Sequence, residues 1–304
     1  MLHFPISGVE THWWLPPLVG FILAALTVPA GVSGAFLLLP FQVSVLGFAS
    51  PAVSGTNLVF NLTSIPGSVL RYLRERRVIW PLTAIMSAGT IPGVLAGGFM
   101  HGAALTDPRR FKFFVGCVLM LLGARMALDI LSAAPAPRSN LTDRNPPADR
   151  THIRDLTWKR WTLGYRWAGE FYTVHVLILL AVSLVVGLLG GAYGIGGGAL
   201  MAPLLVAVFR LPVHTVAGAT LLTTFIASAF GAVGYSWLYP LVMEQAVGMY
   251  PDWPLGAMFG AGGLAGGYVG ARLQKRLPAR LIKAILTGII LFVSLRYIIG
   301  YLVS

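Results

Sequence analysis

Charge is the scarcest feature of this chain. Only 11% of its 304 residues are Asp, Glu, Lys or Arg, against about 25% in a soluble protein. None occurs over residues 11–70, 171–209, 211–243 or 253–271. About 20 apolar residues cross a bilayer core, so these stretches argue against a soluble domain and predict a polytopic membrane protein. They run continuously rather than alternating with period two, which favours helices over a barrel. Cysteine is nearly absent. Cys117 is the single one, which leaves disulfides, cysteine metal sites and thiol relays without support and predicts a buried packing residue. Catalytic constellations are missing too: there is no HExxH, no credibly spaced Ser/His/Asp set and no lysine after a glycine loop. The chain is therefore expected not to be an enzyme, and no cofactor or metal is expected. No carboxylate lies near the middle of a span. Asp129 follows Arg125 by four residues and reads as a helical ion pair, and His101, His175 and His214 fall near segment ends, at the interface. Residues 1–14 lack the basic stretch and small-residue cleavage site of a signal peptide.

What is present is basic charge in the loops, glycine, and repetition. The net charge is +12, but the cations lie between apolar runs, the pattern of positive-inside topology rather than of a nucleic-acid binder. "AGVSGAFLLLP" (30–40) aligns without gaps on "YGIGGGALMAP" (193–203). "AVSGTNL" (52–58) follows with "TVAGATL" (215–221), then "LAGGF" (95–99) with "LAGGY" (264–268), and more loosely "PRRFK" with "PARLIK". Matches kept in one order indicate duplication. Each copy holds a first apolar segment (about 17–32 and 174–192), a short second (35–47 and 198–209), a third (52–70 and 213–235), a fourth (78–102 and 254–271) and a fifth (112–131 and 283–302). Five crossings per copy invert the second copy. With the N-terminus outside, the loop of Arg71, Arg74, Arg76 and Arg77, the central linker, Arg210 and the cluster from Arg272 to Lys283 all fall inside. Arg109, Arg110 and Lys112 fall outside and dissent. The fold expected is an all-α polytopic membrane protein of two inverted-topology repeats, each of about five transmembrane segments, with short or broken helices at the centre. Its parts are an N-terminal membrane repeat (1–131), a cytoplasmic linker (132–170) and a C-terminal membrane repeat (171–304). The linker's Pro-rich first half reads as a tether, and Trp158–Trp167, interleaving aromatic and basic residues, as a surface-lying stretch.

The second segments are short: about a dozen residues at 1.5 Å each give about 18 Å, against a bilayer core of about 30 Å, so each is expected to dip to mid-membrane or to cross as a buried, tilted element. Broken backbone at that depth is tolerated only inside protein or beside water. Glycines there free N–H groups at the next helix's start, where the partial positive charge suits an anion. The candidate substrate-binding residues are Ser33, Gly34, Thr56, Asn57, Asn61, Gly194, Gly196, Gly197, Gly198, Thr220 and Thr224. Asn57 and Asn61 are four apart and share a helix face. "GGLAGGYVG" (262–270) reads instead as close helix packing.

"GLLGGAYGIGGGALMAPLL" followed by "LPVHTVAGATLL" resembles the signature of the sulfite exporter TauE/SafE family of anion transporters, from about Gly20 to Tyr297. The resemblance implies an inner-membrane carrier of sulfite, sulfoacetate or related organosulfonates. It places the family's glycine motif on Gly194, Gly196, Gly197 and Gly198, and its A-x-G-T-S-like stretch on Ala217–Thr220, with Ala219 where a hydroxyl is usual. The expected function is secondary transport exporting such an anion across the cytoplasmic membrane by alternating access. An anion channel or uniporter is the alternative. The partners expected are a small anionic substrate and the lipid bilayer, with a homodimer left open and no nucleic acid.

Overall fold

The computed structural model describes residues 1–48, 50–103, 154–167, 169–242 and 249–302, with isolated helical positions between 116 and 131. The dissenting cations at 109, 110 and 112, the Arg125–Asp129 pair and the tether at 132–153 lie outside the described residues. The protein is mostly helical. Three described helices are long and apolar enough to cross a membrane, at Trp80–Met100, Val213–Val242 and Arg280–Tyr301, and shorter apolar ones cover Leu15–Ala30, Ala35–Ser44 and Val176–Ala192.

The first set of helices is α1 (Leu15–Thr27), α2 (Ala35–Ser44), α3 (Ala52–Arg74) and α4 (Trp80–Ala103). The second set is α5 (Val176–Ala192), α6 (Gly198–Ala207), α7 (Val213–Val233), α8 (Trp253–Gln274) and α9 (Ala279–Leu302). Prolines open α1 and α8 in their first turns, where the missing N–H costs nothing. A short 3-10 turn, Val28–Ala30, tightens the end of α1 and stops at Gly31, whose φ of 75° is left-handed. The wider turn Gly234–Leu238 carries α7 on into Tyr239–Val242.

Contacts between the two sets come in matched pairs. α1 packs along α8 as α4 packs along α5, α3 lies against α8 as α7 lies against α4, and α3 and α7 cross at the centre. The glycines of 262–270 make the first of these seams, as the sequence led us to expect. A side chain on Gly262, Gly266 or Gly270 would strike the backbone of Pro17, Phe21 or Ala25. In the counterpart seam, Gly187 and Gly191 press on the backbone of Thr90 and Val94. The starts of the third helices match as well: Gly55 closes on Pro251, and its repeat partner Gly218 on Arg77 and Val78.

Two ends of the molecule can be traced through charge. At one, Glu75 is only 6% exposed and takes Arg71, Arg77 (3.3 Å) and Lys275 (3.1 Å). Arg77 also donates to the His214 carbonyl at the start of α7 (3.2 Å) and stacks over Tyr72. At the other, Asp252 caps α8 by accepting from Leu255 N (3.1 Å), accepts from Ser7 N (3.1 Å), and donates its own N–H to Thr56 Oγ1 (2.9 Å) near the start of α3.

Two expectations are corrected. The described residues are not all-α. Strands β1 (Leu2–Phe4) and β2 (Val9–Thr11) form an N-terminal hairpin. A three-stranded antiparallel sheet in the order β3 (Arg154–Lys159), β4 (Thr162–Trp167), β5 (Glu170–His175) takes up the end of the expected linker and the first residues assigned to the C-terminal repeat. Alternation explains the sheet: Leu163, Tyr165 and Val174 turn inward against Val206, Leu211 and Val213, while Trp158 and Phe171 stay exposed. The sheet leads without a break into α5, whose Val176 N donates to the Trp161 carbonyl (2.9 Å). Cys117 is exposed rather than buried. Its neighbour Gly116 faces Tyr297 and Ile298 of α9, so the next position on the helix turns away from the protein.

Candidate functional site

The two glycine breaks meet where α3 packs against α7. Each is folded by the same local requirement. Gly31 ends the first at φ 75°, and Gly194, Gly196 and Gly197 hold the second at φ 65°, 74° and 76°, conformations that cost any residue with a Cβ about 1–2 kcal/mol. Each break lies on the third helix of the other copy. Gly31 packs on Ala217, and its carbonyl accepts from Thr220 Oγ1 (2.9 Å). Reciprocally, Gly194 packs on the α3 backbone at Ser54. Ser54 and Ala217 occupy the same place in the two repeats.

Asn61 joins these parts. Its Oδ1 accepts from Ser33 Oγ (2.7 Å), and its Nδ2 donates to the Ile195 carbonyl (3.3 Å) and to Ser228 Oγ (3.1 Å). Ser33 Oγ in turn accepts from Ala35 N, the first residue of α2 (3.2 Å). One amide thus ties both breaks, and the starts of both short helices, to α3 and α7. Such starts carry about half a positive charge each and unpaired N–H groups.

Asn57, one turn earlier, differs. It is fully buried, and neither its Nδ2 nor its Oδ1 has a hydrogen-bond partner. It lies on the α3 strip between Ser54, which touches Gly194, and Asn61, which touches Ile195 and lies beside Gly196. A buried polar atom left without a partner costs about 1–3 kcal/mol, so Asn57 carries an unmet hydrogen-bonding need on this strip.

The remaining candidates divide. Ser33, Asn57, Asn61, Gly194, Gly196 and the α6 start at Gly198 come together here, whereas Gly197 turns towards Thr90 of α4 and Gly187 of α5. Gly34 is close by, packed on Phe60 and Ala24. The N–H of Gly196 is committed to the Gly190 carbonyl (3.3 Å), so that donor is spent on the turn itself. Thr224 turns its hydroxyl back to the Thr220 carbonyl (2.7 Å) and offers its methyl to Gly196. Thr56 is not part of the cluster: its hydroxyl bonds to Ala52 O and Asp252 N on another face of α3. Ser228 is the residue that sequence reasoning missed. Its repeat partner is Ile65, so comparing the copies gave no signal there.

Away from the centre, the sheet is fastened to α7 by a hydrogen bond between Tyr165 Oη and Thr215 Oγ1 (2.9 Å). Burial raises the pKa of Tyr165 well above the ordinary phenol value. Burial, with the hydrogen bond and charge of Glu170, pushes Tyr172 up to about 12. Among the described residues no group of acids, histidines and cysteines is placed to hold a metal ion.

The model of the sulfite exporter TauE/SafE family matches residues 17–297, nearly the whole chain and both glycine breaks. The chain belongs to the TauE/SafE family. Two relatives from Bacillus subtilis (strain 168) are named as membrane transporters. "Probable membrane transporter protein YunE" is 27% identical over 62% of this chain, and the chain spans 65% of that protein's length. "Probable membrane transporter protein YjnA" is 25% identical over 76% of this chain and 85% of its own. No solved structure matches the chain. Family and relatives indicate a membrane transporter rather than an enzyme. The TauE/SafE match includes Ser33, Asn57, Asn61 and Ser228 alike.

Proposed function

We propose that the protein is a secondary transporter that exports a small sulfur-containing anion, such as sulfite, sulfoacetate or a related organosulfonate, across the cytoplasmic membrane by alternating access. The observation that carries this reading is Asn57, a buried amide without a hydrogen-bond partner, one helical turn from the Asn61 that ties the two breaks together. A fully buried site suits a carrier better than an open pore.

The architecture we infer is a pair of inverted repeats, 1–131 and 171–304, joined by the segment 132–170. Two patterns support it. Contacts recur with the roles of the copies exchanged, and α3 starts beside Asp252 and ends at Glu75 while α7 starts beside Arg77. Helices that run oppositely around one centre are how inverted-repeat carriers place substrate near the midplane. The Glu75 end, rich in arginine and lysine, is assigned to the cytoplasm with the linker sheet, and the Asp252 end with the N-terminal hairpin to the outside. Rocking one repeat against the other would open the centre to each side in turn. The resemblance to an exporter family favours outward movement.

Purified protein in liposomes should move labelled sulfite or sulfoacetate in a saturable way. Asn57→Ala and Gly197→Leu, checked for unchanged expression and size-exclusion profile, should abolish it. Flux retained in both variants would sink the site.

A further inference from the structure

Two properties of the central cluster bear on the species bound, and this deepening rests on the transport reading above. First, every element that builds the cluster is free of formal charge except for Arg71 and Arg74 in the last turn of α3, away from Asn57 and Asn61. Asp, Glu, Lys and Arg are absent from residues 11–70, which include α1, α2 and most of α3, and from 171–209 and 211–243, which include α5, α6 and α7. The helices packed behind α3 and α7 add none over 78–106 and 253–271. An anion there meets only fixed dipoles: amides, hydroxyls and two helix starts. The cost of taking an ion out of water rises with the square of its charge, about fourfold from a monoanion to a dianion. The attraction of fixed dipoles rises only in proportion to the charge. A neutral cage therefore favours a single charge.

Second, Asn57 presents two unmet needs of opposite kind. Its Nδ2 is a donor and its Oδ1 an acceptor, both buried and unpartnered, whereas Asn61 beside it has both Nδ2 hydrogens and its Oδ1 engaged. A bare oxyanion offers acceptors only. It would satisfy Nδ2 and set one of its oxygens against Oδ1. A ligand that meets both must carry a hydrogen-bond donor as well, which in an oxyacid anion is an O–H.

We infer that this site selects the hydrogen-bearing monoanion of a diprotic oxyacid, with an anionic oxygen on Asn57 Nδ2 and its O–H donated to Asn57 Oδ1. Such a species carries its own proton: HXO3⁻ enters and HXO3⁻ leaves, so one proton and one dianion cross together. No side chain has to take up a proton.

Four probes test this by thermal shift and calorimetry on the purified full chain: selenite and sulfite, whose second proton titrates within reach of neutrality; methanesulfonate, a monoanion with no O–H; and sulfate, a dianion. Hydrogen selenite and hydrogen sulfite should bind about tenfold more tightly than methanesulfonate, the factor expected for one buried polar atom left unpaired, and sulfate should bind most weakly. Raising the pH should weaken selenite in step with loss of its monoanion, with methanesulfonate unchanged as the control for the protein's own response. Asn57→Leu should erase the preference for selenite over methanesulfonate while retaining discrimination against sulfate. Sulfate, or selenite as its dianion, bound as tightly as the monoanion would overturn the inference and leave the transport site standing. Binding and flux absent for all four probes, with sulfoacetate also inert, would overturn the transport reading itself.

Discussion

Asn57 and Asn61 are the same residue type one helical turn apart, yet their surroundings assign them different work. Asn61 holds three partners on three segments, so Asn61→Leu strands Ser33, Ile195 and Ser228 and should lower the unfolding free energy by about 1–3 kcal/mol per stranded group. Asn57→Leu removes an amide that has no partner to strand. Its melting temperature should be unchanged or higher, while flux is lost. Thermal denaturation of the two variants side by side checks the pair, and equal destabilisation would contradict the distinct roles. Gly196→Ala is a third case. At φ 74°, with an added Cβ 2.5 Å from Ser228 Oγ, it combines strain of about 1–2 kcal/mol with displacement of the hydroxyl that holds Asn61. Both loss of stability and loss of flux are expected. The asparagines were legible in the sequence because an amide in an apolar span needs an explanation. Which of them is satisfied was not legible, since that depends on Ile195 and Ser228, distant in the chain and absent from the repeat pattern.

The elements divide along the same line. Glycine breaks, short segments and third helices were readable because duplication displays them twice and because a segment of about a dozen residues falls short of a bilayer core's thickness. A second repeat signal, Trp80-Pro81-Leu82 with Trp253-Pro254-Leu255 at the starts of α4 and α8, was present and unused. The linker sheet was hidden. Its inward residues, Leu163, Tyr165 and Val174, alternate over a stretch so rich in arginine, lysine and tryptophan that composition outweighs period. Tyr165→Phe removes the hydrogen bond to Thr215 and should loosen the sheet from α7, costing about 1 kcal/mol and speeding amide exchange in β4. Both phenols are held neutral by burial, and their folded pKa values lie above the unfolded value of about 10. Their contribution is therefore complete below pH 10 and is lost as pH rises through about 12 for Tyr172. Ultraviolet titration should show these tyrosines ionising late. At the charged end, Glu75→Gln leaves Arg71 and Arg77 facing each other without their shared carboxylate. The loss should approach the cost of about 3–5 kcal/mol for breaking a buried pair, with half-exposed Lys275 adding little.

For the whole molecule, the account requires that the two ends face opposite compartments. With Cys117 replaced by serine, single cysteines at Trp13 (70% exposed) and Trp158 (57% exposed) should react differently with an impermeant maleimide in intact cells. Position 13 should label directly, and position 158 only after permeabilisation. The charge pattern predicts this topology. The reciprocal packing that encloses the centre could be seen only in three dimensions, because it pairs each break with the other copy's third helix. The central claim is that this closed, uncharged centre carries one anion at a time from side to side. Counterflow tests it most directly: liposomes preloaded with unlabelled sulfite are diluted into a trace of labelled sulfite. The account predicts a transient accumulation of label above equilibrium that is lost in Asn57→Leu. Simple equilibration of the label with large ionic currents, unaffected by that substitution, would contradict it.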